Sequence, residues 1–184
     1  MKIESQSRNN QPRGAIFTDG TATYDDLAEV YIRHKTGRFI LAPSGSGKTF
    51  YVTRQQQNHW IDGDVLWDVT GADYSDPTWG NDTDDVMEIN ARSDVITIQA
   101  KKQGFWVIGS SNLFLKPDAI VIPEWEKHQS YISSRENNNY DGGATSKNLE
   151  DLKLHIKWIH DTWAGKVSFF DTIEDAVTYI ESKD

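Results

Sequence analysis

The segment Ala42-Pro43-Ser44-Gly45-Ser46-Gly47-Lys48-Thr49 carries the residue types that wrap a polyphosphate. Gly45 and Gly47 let the backbone turn so that successive N–H groups point at phosphate oxygens. A helix leaving the loop, over about residues 48–57, adds its dipole and its free N–H groups. Lys48 would then reach the β- and γ-phosphates, and Thr49 Oγ would ligate Mg²⁺, with Ser44 and Ser46 completing the loop. Only the first position departs from the usual pattern, with Ala42 in place of glycine.

A second chemical element follows at Asp62-Gly63-Asp64. Residues i and i+2 of an extended strand point the same way, so both carboxylates are expected to face the γ-phosphate and its metal. Asp62 would hold Mg²⁺ through water, and Asp64 would accept a hydrogen bond from an acceptor hydroxyl. The alternative is a pair of turn acids that cap the strand.

These residues need elements to position them. Phe39-Ile40-Leu41 reads as a strand running into the glycine-rich loop, and Asn58-His59-Trp60-Ile61-Asp62 as a second strand ending on an acid. Residues 65–83 read as a long connection rich in Asp, Gly and Trp. Thr83 is placed to cap a helix over about 84–103, stopped by Gly104. Strands follow at 105–108 and 119–122, with a helix over 124–135 after Pro123. Residues 136–147 read as a mobile loop. Leu149, Leu152, Ile156, Ile159 and Trp163 repeat at helical spacing over 148–164. A fifth strand, 167–170, precedes a helix capped by Thr172. Strands alternating with helices predict an α/β fold with a mostly parallel sheet covered on both faces.

The N-terminal part reads differently. Residues 1–13 are polar and aperiodic, which predicts a flexible tail, and 24–36 predict a helix ended by Gly37. Residues 1–37 thus precede a main domain over 38–184.

Composition narrows the function. The chain of 184 residues has no cysteine, which excludes disulfides, thiolate metal sites and thiol catalysis. Its five histidines show no metal-ligand spacing, and His155 and His160 read as surface or core-edge residues. A net charge of −9 disfavours a broad surface for a phosphate backbone, although Lys101, Lys102, Arg54 and Lys127 could form a local basic cleft. No run of about 18 apolar residues reads as a membrane span, so a cytoplasmic protein is expected.

FILAPSGSGKT, the WIDGD strand end, SSRENNN and FFDTIEDAVTYI together resemble the nucleoside-monophosphate-kinase and shikimate-kinase branch of P-loop proteins, over about residues 38–182. The resemblance implies a three-layer P-loop NTPase fold, sheet order 2-3-1-4-5, a small lid at 136–147 and Mg-ATP as donor. It makes Ser44, Gly45, Ser46, Gly47, Lys48 and Thr49 nucleotide ligands, Asp62 a metal-side acid and Asp64 an acceptor-side acid. Arg135 resembles the lid arginine that closes on the transferring phosphoryl group. Arg92 falls where related kinases hold an anionic substrate, and Asp171 where the adenine-binding loop is expected. Loop 65–83 becomes the acceptor side, where Trp67, Tyr74 and Trp79 either stack on a base or anchor the loop. Gly109-Ser110-Ser111-Asn112 stands where adenylate-type kinases carry an Asp-Gly-Phe-Pro-Arg run, and it resembles the turn of shikimate and gluconate kinases instead. The expectation is an ATP-dependent kinase acting on a small acceptor, with a nucleotide or nucleoside the favoured class. A nucleic-acid kinase and an NTPase without a small-molecule acceptor stay open as alternatives.

Overall fold

A computed structural model of the chain describes residues 2–4, 15–17, 22–23, 36–56, 59–68, 70, 83–110, 112, 114–138 and 143–184, with the backbone alone at 2–4, 15–17, 22–23, 68 and 83–88. Lys2–Glu4 (β1), Ala15–Phe17 (β2) and Ala22–Thr23 (β3) form a small antiparallel sheet. Its register sets Ile3 opposite Ile16, a β-branched pair that favours extended chain. β1 therefore lies inside the stretch expected to be a tail. Residues 24–35 of the expected N-terminal helix lie outside the described residues.

The main sheet contains Arg38–Leu41 (β4), Trp60–Asp62 (β5), Trp106–Gly109 (β6), Ala119–Val121 (β7) and Phe169–Phe170 (β8). Its order is β5-β6-β4-β7-β8, and every pairing is parallel. Counted from β4, that is the expected order 2-3-1-4-5. The helices are Lys48–Arg54 (α1), Gly63–Asp68 (α2), Thr83–Lys102 (α3), Trp125–Asn137 (α4), Leu149–Trp163 (α5) and Ile173–Glu181 (α6).

Alternation along β4 explains the layers. Phe39 and Leu41 face one core with Ile96 and Ala100 of α3, Leu66 of α2, and Ile159 and Trp163 of α5. Ile40 and Ala42 face the other, with Val52 of α1 and Ile173, Ala176, Val177 and Ile180 of α6. A sheet buried on both faces needs apolar residues at consecutive strand positions, and β4 to β7 supply them. Among the described residues no helix is long and apolar enough to cross a membrane.

Two expectations change. Residues 63–68 form α2 rather than the start of a loop, because Val65 and Leu66 are buried against the sheet and Asp62 Oδ1 accepts the Asp64 N–H at 3.1 Å. Tertiary burial thus supports a helix too short to read from periodicity. Residues 69 and 71–82, including Tyr74 and Trp79, lie outside the described residues. The segment expected to be the lid starts inside α4, which runs to Asn137. Glu136 Oε1 then accepts hydrogen bonds from both N and Oγ of Ser146, at 3.0 and 3.1 Å, so the returning chain is held to the helix end.

Adjacent residues of α3 test this layering. Ile96 is fully buried, while Val95 is 48% exposed. Ile96→Ala is expected to destabilise by about 2–5 kcal/mol, and Val95→Ala by less than about 0.5 kcal/mol, in urea denaturation.

Candidate functional site

β4 ends at Leu41 in the centre of the sheet, and the glycine-rich loop leaves from its C-terminal edge. Gly45 (φ 84°) and Gly47 (φ 89°) take left-handed conformations that side-chain-bearing residues rarely adopt. Gly47 is the N-cap of α1, and a Cβ there would meet no atom of the described residues within 4 Å. The Ser46 hydroxyl donates to the Pro43 carbonyl and tightens the turn. Ala42 N–H donates to the Gly109 carbonyl at 2.8 Å, which continues the β4–β6 pairing into the loop.

Lys48 is buried, with Nζ 3.4 Å from the Pro43 carbonyl and 4.0 Å from Asp64 Oδ1. Thr49 Oγ1 donates to Asp62 Oδ2 at 2.5 Å. One residue pair thus links the loop to the end of β5, across β6. The two acids differ sharply: Asp62 is fully buried, whereas the Asp64 side chain is 50% exposed. Both lie beside the loop, but not by the strand alternation expected from sequence. Asp62 ends β5, and Asp64 sits in the first turn of α2. The reversal needs glycine between them, since a Cβ on Gly63 would lie 2.5 Å from Gly109 Cα.

Burial and the neighbouring Asp64 carboxylate push Asp62 up to about 6, against the opposing pull of Lys48, the Thr49 hydroxyl and the Asp64 N–H. Among the described residues no group of three or more His, Asp or Glu side chains could hold a metal ion. Mg²⁺, however, is usually held by one or two carboxylates together with phosphate oxygens and water. The hydroxyl–carboxylate pair of Thr49 and Asp62, next to a loop of backbone donors and Lys48, has the chemistry for a magnesium–polyphosphate complex.

α4 braces the opposite side of the loop. His128, Ile132 and Arg135 sit at i, i+4 and i+7, on one helical face. His128 is fully buried, and its Nε2 donates to the Ser44 carbonyl at 2.8 Å. A carbonyl only accepts, so the proton resides on Nε2. Burial is the main reason the His128 pKa falls, with the charges of Lys48 and Arg135 acting in the same direction. A Cβ on Gly45 would meet Ile132 Cγ1 at 2.8 Å, so helix and loop are in direct contact.

The same helix reaches the segment expected to be the lid. Ala144 N–H donates to Ser44 Oγ at 2.8 Å, and Arg135 donates to the Ala144 carbonyl. Both backbone groups of Ala144 are thereby held, one by the loop and one by Arg135. His155, half-buried on α5, is pushed down to about 4 by burial first and the Lys48 charge second.

The remaining sequence-predicted residues lie on α2, on α3 and just beyond β8. Arg92 donates to the Thr70 carbonyl at 3.1 Å and fixes the turn after α2. Trp67 is half-buried on α2, and its carbonyl accepts the Thr70 N–H at 3.0 Å. Asp171 is exposed just beyond β8, two strand spacings (about 10 Å) from β4. Of the basic residues considered as a cleft, Lys101 pairs with Asp118 at 2.7 Å and Arg54 lies over the Phe50 ring. Sequence reading missed His128 and the bridging role of Ser44. The signal was the i, i+4, i+7 stripe of His128, Ile132 and Arg135.

No family model, curated protein or solved structure matches this chain.

The raised Asp62 pKa has a sign that can be measured in magnesium-free buffer. An acid whose folded pKa lies above its unfolded value favours the fold below about pH 4, and that contribution is lost as pH rises through about 6. Asp62→Asn removes the loss. The variant is expected to be more stable than wild type at pH 8, by on the order of 3 kcal/mol, with the gap closing near pH 4. Urea denaturation at the two pH values checks it.

Proposed function

We propose that this chain is a P-loop kinase that uses Mg-ATP to phosphorylate a small acceptor, with a nucleotide or nucleoside the favoured class. The finer reading of the α/β architecture, a P-loop NTPase fold, belongs to the same proposal. One observation carries it: Thr49 donates to the buried Asp62 while Lys48 stands between the Pro43 carbonyl and Asp64. Strand, loop, lysine, hydroxyl and two acids of unequal exposure are the parts that phosphoryl transfer needs.

Exposure separates the two acids. Asp62, buried and bonded to Thr49, suits the metal side, where it would orient water around the ion. Asp64, half-exposed and in the first turn of α2, suits the acceptor side, where it would accept the hydrogen bond of the attacking hydroxyl. Lys48 would balance charge on the β- and γ-phosphates, and the N–H groups around Gly45 and Gly47 would hold the phosphate oxygens. Mg-ATP supplies the phosphoryl group and the divalent charge that offsets it. Arg135, which donates to the Ala144 carbonyl beside Ser44, would be the lid cation in this reading.

A coupled ADP-release screen over nucleosides, nucleotides, oligonucleotides and small hydroxy acids tests the proposal. ADP is expected to form only with the right acceptor, and Asp64→Asn is expected to slow transfer by about 10²–10⁴-fold. Acceptor-independent turnover that survives Asp64→Asn would point to an NTPase. Transfer to oligonucleotides alone would point to a nucleic-acid kinase.

A further inference from the structure

The sheet has a second concave site, at the edge opposite the glycine-rich loop. A cavity of about 650 Å³ lies at the N-terminal ends of β4, β7 and β8, lined among others by Arg38, Lys116, Lys166, Ser168, Tyr179 and Lys183. Its volume is in the range of small-molecule sites. It is separated from the loop by the length of β4, about 13 Å.

Charge is distributed unevenly around it. Asp118 is the acid in its lining, and its charge is met by Lys101 at 2.7 Å and Arg38 at 3.8 Å. Asp118 Oδ2 also accepts the Phe39 N–H at 2.7 Å. Asp184 pairs with Arg38. Two cations and two acids thus cancel. Lys116, Lys166 and Lys183 remain, and among the described residues none forms an ion pair with a carboxylate. Lys166 Nζ donates to the Thr162 carbonyl at 2.8 Å, which offsets the negative end of α5. Lys183 donates to the Tyr179 hydroxyl, which also accepts from Ser168 Oγ at 2.7 Å. With both hydrogen bonds arriving at its oxygen, the phenol keeps its own O–H as a donor. In a chain of net charge −9, three ammonium groups without acid partners among the described residues around one cavity are an unusual concentration.

We infer that this cavity binds a small polyanion carrying two or three linked phosphate groups, either free or at the 5′ end of a nucleotide, independently of the glycine-rich loop. Lys116, Lys166 and Lys183 supply the charge, and Tyr179 supplies a hydroxyl donor. A run of phosphates fits better than a single carboxylate, because three cations on three separate segments need several anionic oxygens to meet them.

The test uses Lys48→Ala protein, in which the glycine-rich loop is disabled, titrated calorimetrically with sodium tripolyphosphate and, in a parallel arm, ATP. Saturable binding is expected, weakened at least tenfold by adding Lys116→Glu with Lys183→Glu. Adding Lys127→Glu with Lys157→Glu makes the same change in net charge elsewhere and is expected to weaken binding less than twofold. All four positions are exposed, so the fold should tolerate them. Equal affinity in both arms assigns the site to the phosphate run alone, and tighter ATP binding adds a contact to the base. Either result supports the site. No binding to the Lys48→Ala protein, no loss from the Lys116/Lys183 pair, or equal loss from both pairs overturns it.

Discussion

The candidate site depends on the bond between the Thr49 hydroxyl and the buried carboxylate of Asp62. It joins the first turn of α1, which follows β4, to the end of β5, and β6 lies between those two strands. A carboxylate with no solvent exposure is costly, and one hydroxyl donor, one backbone N–H and a nearby lysine offset only part of that cost. Carboxylates perturbed in this way cluster at functional sites. The same carboxylate also accepts the Asp64 N–H in the first turn of α2, so Asp62 positions Asp64.

The loop is held from both sides. On one side, β6 continues its pairing with β4 into Ala42, and Gly109 lies directly against Gly63. On the other, the buried His128 and Ile132 of α4 meet Ser44 and Gly45. Ser44 is the junction, since its carbonyl answers His128 and its hydroxyl answers Ala144. Ala144 also packs with Ile132 and Leu152 in a small apolar cluster between α4 and α5. Ala144 is therefore tied to the loop by one hydrogen bond and one packed cluster.

Much of this was legible in the sequence. The apolar runs at 39–41, 105–108 and 119–122 gave the parallel strands, and the capped, periodic runs gave α3, α5 and α6. The glycine and lysine spacing located the loop. The geometry at Asp64 was not legible, because a six-residue helix held by tertiary burial leaves no periodic trace. Alternation along the strand put both Asp62 and Asp64 beside the loop, and both do lie there, but Asp64 reaches it from the first turn of α2. His128 escaped because a buried histidine serving a carbonyl has no sequence signature; only the helical stripe it shares with Arg135 could have marked it. The small N-terminal sheet was equally hidden, since its strands are two or three residues long.

Calorimetric titration of Mg-ATP into the wild-type chain tests the central claim most directly. A magnesium-dependent saturable site is expected, lost in Lys48→Ala and weakened when EDTA removes the magnesium, while any binding at the N-terminal edge of the sheet persists in that variant. A flat titration of the wild-type protein, or one unchanged by Lys48→Ala, would contradict it.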